Sequence, residues 1–146
     1  FSLACDFRIV TRCAQLSLPE MKIGMIPGSG GSVRLSRMIG LSRVKDMIMR
    51  GKRISGEEAY NYGLASEVVE INDLENATKN LVKELCLVSP LAQRAIKTVL
   101  NASQDAPLHV AIELEGETYG RLRSSSDFKE GVKSFVEKRK PVYTGQ

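Results

Sequence analysis

The first part of the chain alternates apolar and polar residues, which is typical of β-strands. Residues 6–11 alternate and include β-branched side chains, and residues 14–18 alternate again. Pro19 follows and is expected to end the second strand, because proline cannot donate a hydrogen bond to a ladder. A glycine-rich turn at residues 27–32 then leads into a predicted helix at residues 33–39.

The rest of the chain shows a helical spacing of apolar residues, and capping residues mark the helix ends. Ser42 is predicted to cap a helix that Gly51 closes, and residues 55–58 form a capping box that opens another helix. A short strand is predicted at residues 66–71. Four further helices are predicted to open at Asn72, at Ser89-Pro90, at Pro107 and at Ser126, the last of them running to Arg139.

These elements do not make a closed sheet. The strands are short and few, so they require partners from polypeptide outside this sequence. Phe1 begins inside an apolar segment without an initiator methionine, whereas natural domain ends are usually polar and loosely held. We therefore expect the chain to be a fragment or a processed product.

The composition predicts a globular protein, since 42% of the 146 residues are apolar and 26% are charged. No apolar run approaches the roughly 18 residues of a membrane span, and no signal peptide is recognisable. Three scattered cysteines make neither a disulfide framework nor a metal-ligand spacing, and they fit a reducing compartment. The expected location is the cytoplasm, or the mitochondrial matrix in a eukaryote.

Much of the net charge of +4 lies in residues 126–140, where five basic residues outnumber three acidic ones. Such an excess of basic residues is typical either of a solvated helix face or of a surface that contacts phosphate groups. Nucleic-acid binding is disfavoured, because the aromatic residues do not interleave with the basic ones as a stacking platform requires. The basic residues concerned are Lys129, Lys133, Lys138, Arg139 and Lys140.

Candidate chemistry is concentrated between residues 19 and 31. Glu20 follows Pro19 among apolar neighbours, which disfavour the charged form of a carboxyl group and suit it to proton transfer. The alternative is a glutamate that points into solvent. The glycine turn presents backbone N–H groups to an anion or a polarised carbonyl, or it is a plain structural turn. It matches neither the dinucleotide fingerprint nor the Walker A sequence.

Several short runs, in order along nearly the whole chain, share one resemblance. They are Leu-Ala-Cys-Asp-Phe-Arg-Ile at 3–9, Ala-Gln and Pro-Glu between 14 and 20, Gly-Met-Ile-Pro-Gly-Ser-Gly-Gly-Ser at 24–32, Gly-Lys-Arg-Ile-Ser at 51–55, Ser-Pro-Leu-Ala at 89–92 and Phe-Val-Glu-Lys-Arg-Lys-Pro at 135–141. Together they resemble the C-terminal half of the crotonase superfamily, the enoyl-CoA hydratases and isomerases.

The resemblance implies an α/β fold. Residues 1–71 would belong to the C-terminal part of the crotonase spiral core, built from ββα units, and residues 72–146 to a predominantly helical oligomerisation region. The implied assembly is a homotrimer or a dimer of trimers.

The resemblance also implies an acyl-CoA thioester as substrate. The leading expectation is hydration of a trans-2-enoyl-CoA, with Glu20 as general acid/base and an oxyanion hole that stabilises the thioester enolate. Double-bond isomerisation is the alternative, and a non-catalytic helical assembly module is the alternative from another class. Neither a metal nor a cofactor is expected, since coenzyme A is part of the substrate.

By the same resemblance, Gly28 lies near the reacting atoms, and Phe135 and Lys138 contact the nucleotide end of coenzyme A. Core packing is the alternative for Phe135, and a solvated surface position is the alternative for Lys138. The family's other catalytic carboxylate would precede Phe1. Leu18 stands where hydratases often have a polar residue, which weakens the expectation of water activation.

The single histidine and the cysteines are not expected to take part in catalysis. His109 begins a predicted helix without a cysteine or carboxylate at metal-ligand spacing, which favours a surface or capping role. None of Cys5, Cys13 and Cys86 has the basic neighbour and histidine that activate a nucleophilic thiol.

Overall fold

A computed structural model describes every residue from Phe1 to Gln146. The chain divides into two compact units, Phe1–Asn80 and Leu81–Gln146, which are described separately. The dividing line falls inside a helix rather than in the loop before it. That helix, α4, spans Leu74–Cys86 and contributes residues to both units.

The first unit contains four short strands in two separate pairs. Strand β1 (Ile9–Thr11) pairs in parallel with β4 (Glu67–Val69), and β2 (Gln15–Leu16) pairs antiparallel with β3 (Ile54–Ser55). The strands predicted at residues 6–11, 14–18 and 66–71 are therefore shorter than expected. The alternating residues outside these bounds have no partner strand, and a strand is defined only where a ladder forms.

Three α-helices complete the first unit. They are α1 (Gly31–Ile39), α2 (Leu41–Met49) and α3 (Gly56–Asn61), and short 3₁₀ turns lie at Ser2–Ala4, Glu20–Ile23 and Ile71–Asp73. The predicted capping box is confirmed: Ser55 Oγ accepts from the Glu58 N–H at 3.1 Å, and the Ser55 N–H donates to the Glu58 carboxylate at 2.8 Å.

Two predicted helix starts in the first unit were wrong by a residue or two. Ser42 does not cap α2, because Gly40 (φ +81°) reverses the chain and the helix begins at once with Leu41. A positive φ of this kind suits glycine, and Ser42 is already the second residue of the helix. Asn72 does not open α4, since it lies within the preceding 3₁₀ turn.

The helices of the first unit enclose an apolar core. Leu16 and Leu18 pack against its edge, so the segment that leads to Glu20 is anchored by hydrophobic contact. Gly56 has no room for a side chain, because a Cβ atom there would collide with the Thr11 carbonyl oxygen. The buried residues of the core are Leu35, Ile39, Val44, Met47, Ile48, Ile54, Ala59 and Leu64.

The second unit contains the end of α4 and three further helices. Helix α5 spans Pro90–Ser103, and Ser89 Oγ accepts from the Ala92 N–H at 3.1 Å, which confirms the predicted cap. Helices α6 and α7 span Leu108–Arg123 and Ser126–Val136. Helix α7 ends before the predicted Arg139 because Lys138 has a left-handed backbone (φ +53°).

Candidate active site

Glu20 is the first residue of the 3₁₀ turn that follows Pro19. The turn closes at Gly24, whose positive φ of 76° lets its N–H reach back to the Glu20 and Met21 carbonyls. Strand β2 has already ended at Leu16, so Glu20 lies on a helical turn and not at the strand end where the sequence placed it. The turn fixes the backbone of Glu20, and Leu18, two residues earlier, packs against the core.

The Glu20 carboxylate has one oxygen atom buried without a hydrogen-bond partner. Its Oε2 is shielded from solvent and accepts no hydrogen bond from any group of the chain. Glu20 as a whole is half-buried, which excludes a side chain that simply extends into bulk water. An unsatisfied buried carboxylate oxygen costs free energy, and such oxygens in native proteins have a functional or structural reason.

The glycine turn lies beside the segment that leads to Glu20. A Cβ atom on Gly31 would meet Leu18 Cδ2 at 3.4 Å, so this turn and the residues before Glu20 are in contact. Ser29 and Gly30 both have left-handed backbones, with φ values of 55° and 77°, and they set up the start of α1 without a side-chain cap. Arg34 Nη1 donates to the Ser29 carbonyl at 2.9 Å and braces the turn.

Gly28 presents its backbone to open space. The residue is exposed, a Cβ atom there would meet nothing within 4 Å, and its N–H donates to no group of the chain. An N–H group of this kind is free to bond to a ligand oxygen. Glu20 and Gly28 therefore both belong to the first unit. Leu18, two residues before Glu20, contacts the glycine turn that contains Gly28.

An apolar cavity of about 270 Å³ lies next to this segment in the first unit. Leu16 and Leu18 form one side, and the core residues Leu35, Met47 and Leu64 form the floor. Neither Glu20 nor Gly28 is among the residues that line it. Ser2, Leu3, Gln15 and Ser17 complete the lining.

Phe135 and Lys138 lie in the second unit, at the end of α7. Phe135 is 85% exposed, so it is not a core residue of this chain. It lines a groove of about 500 Å³ together with other aromatic residues, Tyr119, Phe128 and Tyr143. Lys138 is exposed, and its ammonium group makes no hydrogen bond or ion pair within the chain.

Asp127 is a buried carboxylate whose importance the sequence did not indicate. It is 3% exposed, accepts from the Ser89 hydroxyl at 2.5 Å, and accepts from the N–H groups of Thr144 and Gly145 at 2.9 and 3.0 Å. The pKa of Asp127 is held below its ordinary value, first by the Ser89 hydroxyl and then by these backbone groups, against the opposing effect of burial. Its hydrogen-bond partners lie far from residue 127 in the sequence, so no local spacing of residues predicts them.

The structure contains no candidate metal site. No group of three or more histidine, cysteine, aspartate or glutamate side chains is arranged to hold a metal ion. His109 is exposed near the start of α6, and Cys5, Cys13 and Cys86 are free and exposed. None of the helices combines the length and the apolar character that crossing a membrane requires.

Sequence and fold together define the class. The family model for enoyl-CoA hydratase/isomerase matches residues 1–146, and the chain belongs to this family. The fold agrees: the structure of enoyl-CoA hydratase from Bacillus anthracis superimposes with a TM-score of 0.95 at 38% identity, over 99% of this chain and 56% of that one. The predicted crotonase-like fold and the predicted family are thereby confirmed.

Two relatives illustrate the range of the family. The chain is 33% identical to a short-chain-enoyl-CoA hydratase from Clostridium acetobutylicum, over 95% of this chain and 53% of that protein. It is 36% identical to a mitochondrial methylglutaconyl-CoA hydratase from Mus musculus, over 99% of this chain and 48% of that protein. The chain thus spans about half the length of the relatives it matches.

Proposed function

We propose that the protein containing this chain hydrates a trans-2-enoyl-CoA, with Glu20 as general acid/base. Hydration forms a bond from a water oxygen to the β-carbon of the enoyl group, and the α-carbon gains a proton. The observation that supports this role is the buried, unsatisfied Oε2 of Glu20. A carboxylate oxygen without a protein donor is suited to accept a hydrogen bond from the attacking water or from the hydroxyl group of the product.

Addition of water places negative charge on the thioester oxygen, and that charge must be stabilised by hydrogen-bond donors. Gly28 supports the proposal because its N–H is unused and its backbone is open to approach. Each donor directed at such an oxyanion is worth about 10²–10³ in rate. A second carboxylate and further donors, which the family resemblance implies, would come from outside residues 1–146.

We also assign Phe135 and Lys138 to the nucleotide end of the substrate. An exposed aromatic ring can stack on a purine base, and a lysine ammonium pairs with phosphate as a point charge. The exposure of Phe135 and the unpaired ammonium of Lys138 support this role. The exposed Phe135 ring lowers solubility when nothing covers it.

The catalytic role is tested by Glu20→Gln in the full-length protein. Glutamine keeps the shape and one acceptor oxygen but cannot exchange a proton, so kcat for a four-carbon trans-2-enoyl-CoA should fall about 10²–10⁴-fold. Turnover is followed by the loss of absorbance of the conjugated thioester. Glu67→Gln, on the exposed edge of β4, is the matched control and should retain the parent rate. Equal rates for Glu20→Gln and the parent would remove Glu20 from the mechanism.

Leu18 is the observation that favours the second candidate, double-bond isomerisation. It precedes the Pro19-Glu20 pair with an apolar side chain that contacts the glycine turn and the core, and so offers no hydrogen bond to a water. An isomerase needs a carboxylate to move a proton between carbon atoms but needs no activated water. Incubation with a 3-enoyl-CoA, followed by chromatography, separates the two: isomerisation yields the 2-enoyl product, whereas a hydratase leaves the 3-enoyl substrate unchanged.

We further propose self-association of the full-length protein, as a trimer or a dimer of trimers. The second unit supports this because large apolar side chains on α5, α6 and α7, such as Leu100, Ile112 and Phe135, are exposed. Monomers rarely leave extended apolar surface uncovered. Sedimentation velocity should show an oligomer. An oligomer without turnover of any enoyl-CoA would favour the non-catalytic assembly module instead.

A further inference from the structure

Helix α7 ends in a motif that ordinarily requires glycine. The Lys138 N–H donates to the Phe135 carbonyl at 3.3 Å, and the Arg139 N–H donates to the Ser134 carbonyl at 3.0 Å, which together form a Schellman turn. The left-handed residue of this turn is usually glycine, but here it is Lys138, with φ +53°. Lys138 and Ser29 are the only residues other than glycine with a positive φ. Such an outlier suggests a functional constraint at this position.

The residues on either side of Lys138 are held by a dense set of hydrogen bonds. Arg139 places its two terminal nitrogens on the two carboxylate oxygens of Glu130, at 2.6 and 2.8 Å, and its Nε donates to Glu137 at 2.6 Å. Glu130 also accepts from the Val142 N–H at 2.8 Å. The planar guanidinium fork fixes orientation as well as distance, which a lysine could not do.

The strength of this pairing is reflected in the titration of Glu130. The pKa of its carboxyl group is lowered to about 2, first by Arg139 and then by the Val142 N–H. The carboxylate is therefore charged throughout the neutral range and available to Arg139 at all times. Lys138, between these fixed residues, keeps its own ammonium group unpaired.

We propose that Arg139 and Glu130 are positioning residues that hold Lys138 in its left-handed conformation, so that its ammonium group is directed at the phosphates of the substrate's nucleotide end. This inference rests on the proposed function, in which Lys138 contacts coenzyme A. A preset backbone reduces the conformational entropy lost on binding, and affinity rises without any new contact. A glycine would end the helix with less strain but would bring no charge.

The test compares two substrates with the same acyl group in the full-length protein. One is the enoyl-CoA, and the other is the enoyl thioester of N-acetylcysteamine, which lacks the nucleotide. Lys138→Ala should raise KM for the CoA substrate about tenfold, while kcat and the kinetics of the short thioester stay at the parent values. Glu130→Gln should raise KM for the CoA substrate several-fold in the same selective manner.

A double-mutant cycle separates positioning from a purely structural role. If Glu130 acts through Lys138, the variant Glu130→Gln/Lys138→Ala should be no worse than Lys138→Ala alone. Arg139→Lys keeps the charge but loses the fork, and it should raise KM selectively as well. Glu75→Gln, which breaks the exposed pair with Lys79, is the matched control and should change nothing.

Two outcomes would overturn the inference. The first is additive losses in the cycle, or equal losses on both substrates, since either shows that Glu130 and Arg139 act on the fold rather than on Lys138. The second is an unchanged KM in Lys138→Ala. Failure of the proposed function has a different result. The parent protein would then turn over neither substrate, and Glu20→Gln would cause no change in turnover.

Discussion

The two units of the chain are held together in different ways. The first unit contains ten of the eleven buried apolar side chains, with Leu35 at 2% and Ile54 at 0% exposure, whereas Val99 is the only one in the second unit. The buried polar residues show the opposite distribution, since three of the four, Ser89, Asp127 and Ser134, belong to the second unit and only Thr11 to the first. Apolar burial stabilises the first unit, and hydrogen bonds to carboxylates organise the second.

This difference supports the proposed placement of chemistry in the first unit and of assembly in the second. A close-packed core gives Glu20 and the glycine turn a rigid base, and rigid support is what a proton-transferring group requires. The second unit leaves its apolar side chains outward, so it gains stability only when another surface covers them. Its hydrogen-bonded carboxylates set the helix ends without filling the interior.

The largest expected effect comes from emptying the core of the first unit. Leu35→Ala should lower the free energy of unfolding of the full-length protein by about 2–5 kcal/mol, because a buried leucine leaves a cavity when truncated. Leu87→Ala, at 58% exposure in the second unit and outside α5, α6 and α7, is the matched substitution and should cost less than about 1 kcal/mol. Urea unfolding measures both. Equal losses would show that Leu87 is buried in the native protein and would end the contrast between the units.

A glycine from each unit sharpens the same comparison. Gly56→Ala should cost about 1–3 kcal/mol, since the new Cβ would collide with the Thr11 carbonyl oxygen beneath α3. Gly116→Ala lies within α6, where a Cβ atom meets nothing within 4 Å, and should add about 0.5–1 kcal/mol through helix propensity. Thermal unfolding of the two variants should therefore shift in opposite directions. A loss in Gly116→Ala would indicate a close approach of another surface to α6.

Local sequence signals predicted most of the helices, because the residues that cap a helix lie within one helical turn of each other. The capping box at Ser55 and Glu58 and the Ser89-Pro90 start are decided by residues three or four apart. Strand lengths were overestimated, since alternation reports which face is apolar and not whether a partner strand is present. The family resemblance selected Glu20 as the candidate catalytic residue, but the burial of its Oε2 depends on how the turn packs.

The features that the sequence did not predict depend on contacts between residues more than two helical turns apart. Asp127 gathers its partners from positions 89 and 144–145, and nothing near residue 127 specifies them. The early end of α7 is similar, because a left-handed Lys138 is improbable on propensity alone and is held by the pairing of Arg139 with Glu130. Tertiary structure overrides local preference at these two places.

Acid should destabilise the second unit through its carboxylates. The pKa of Glu130 is lowered from 4.5 to about 2, so the stability it contributes is fully present above its unfolded pKa and is lost as pH falls from about 4.5 toward 2. Asp127, whose pKa is also lowered, adds to the loss in the same direction. Urea midpoints measured between pH 6 and pH 3 should fall, and Glu130→Gln should make that fall shallower.

The first unit supplies the control for this acid effect. Glu58 also has a lowered pKa, chiefly because the Ser55 N–H donates to it, so part of the acid loss belongs to α3. Glu58→Gln should flatten the acid response as well, but without changing hydrogen exchange of the amides of Thr144 and Gly145, which are bonded to Asp127. If Glu130→Gln and Glu58→Gln both flatten the dependence of the urea midpoint on pH and both speed hydrogen exchange of these amides, the two units do not respond to acid separately.

The smallest expected effect concerns the strain at Lys138. Lys138→Gly should raise the free energy of unfolding by up to about 1 kcal/mol, because glycine adopts a positive φ freely, although its more flexible unfolded chain offsets part of the gain. Lys138→Ala keeps the unfavourable backbone and should give no gain. If thermal unfolding shows the glycine variant no more stable than the alanine variant, the left-handed conformation carries no strain. A stabler Lys138→Gly that also binds acyl-CoA more weakly would show that the second unit gives up stability to present a charge.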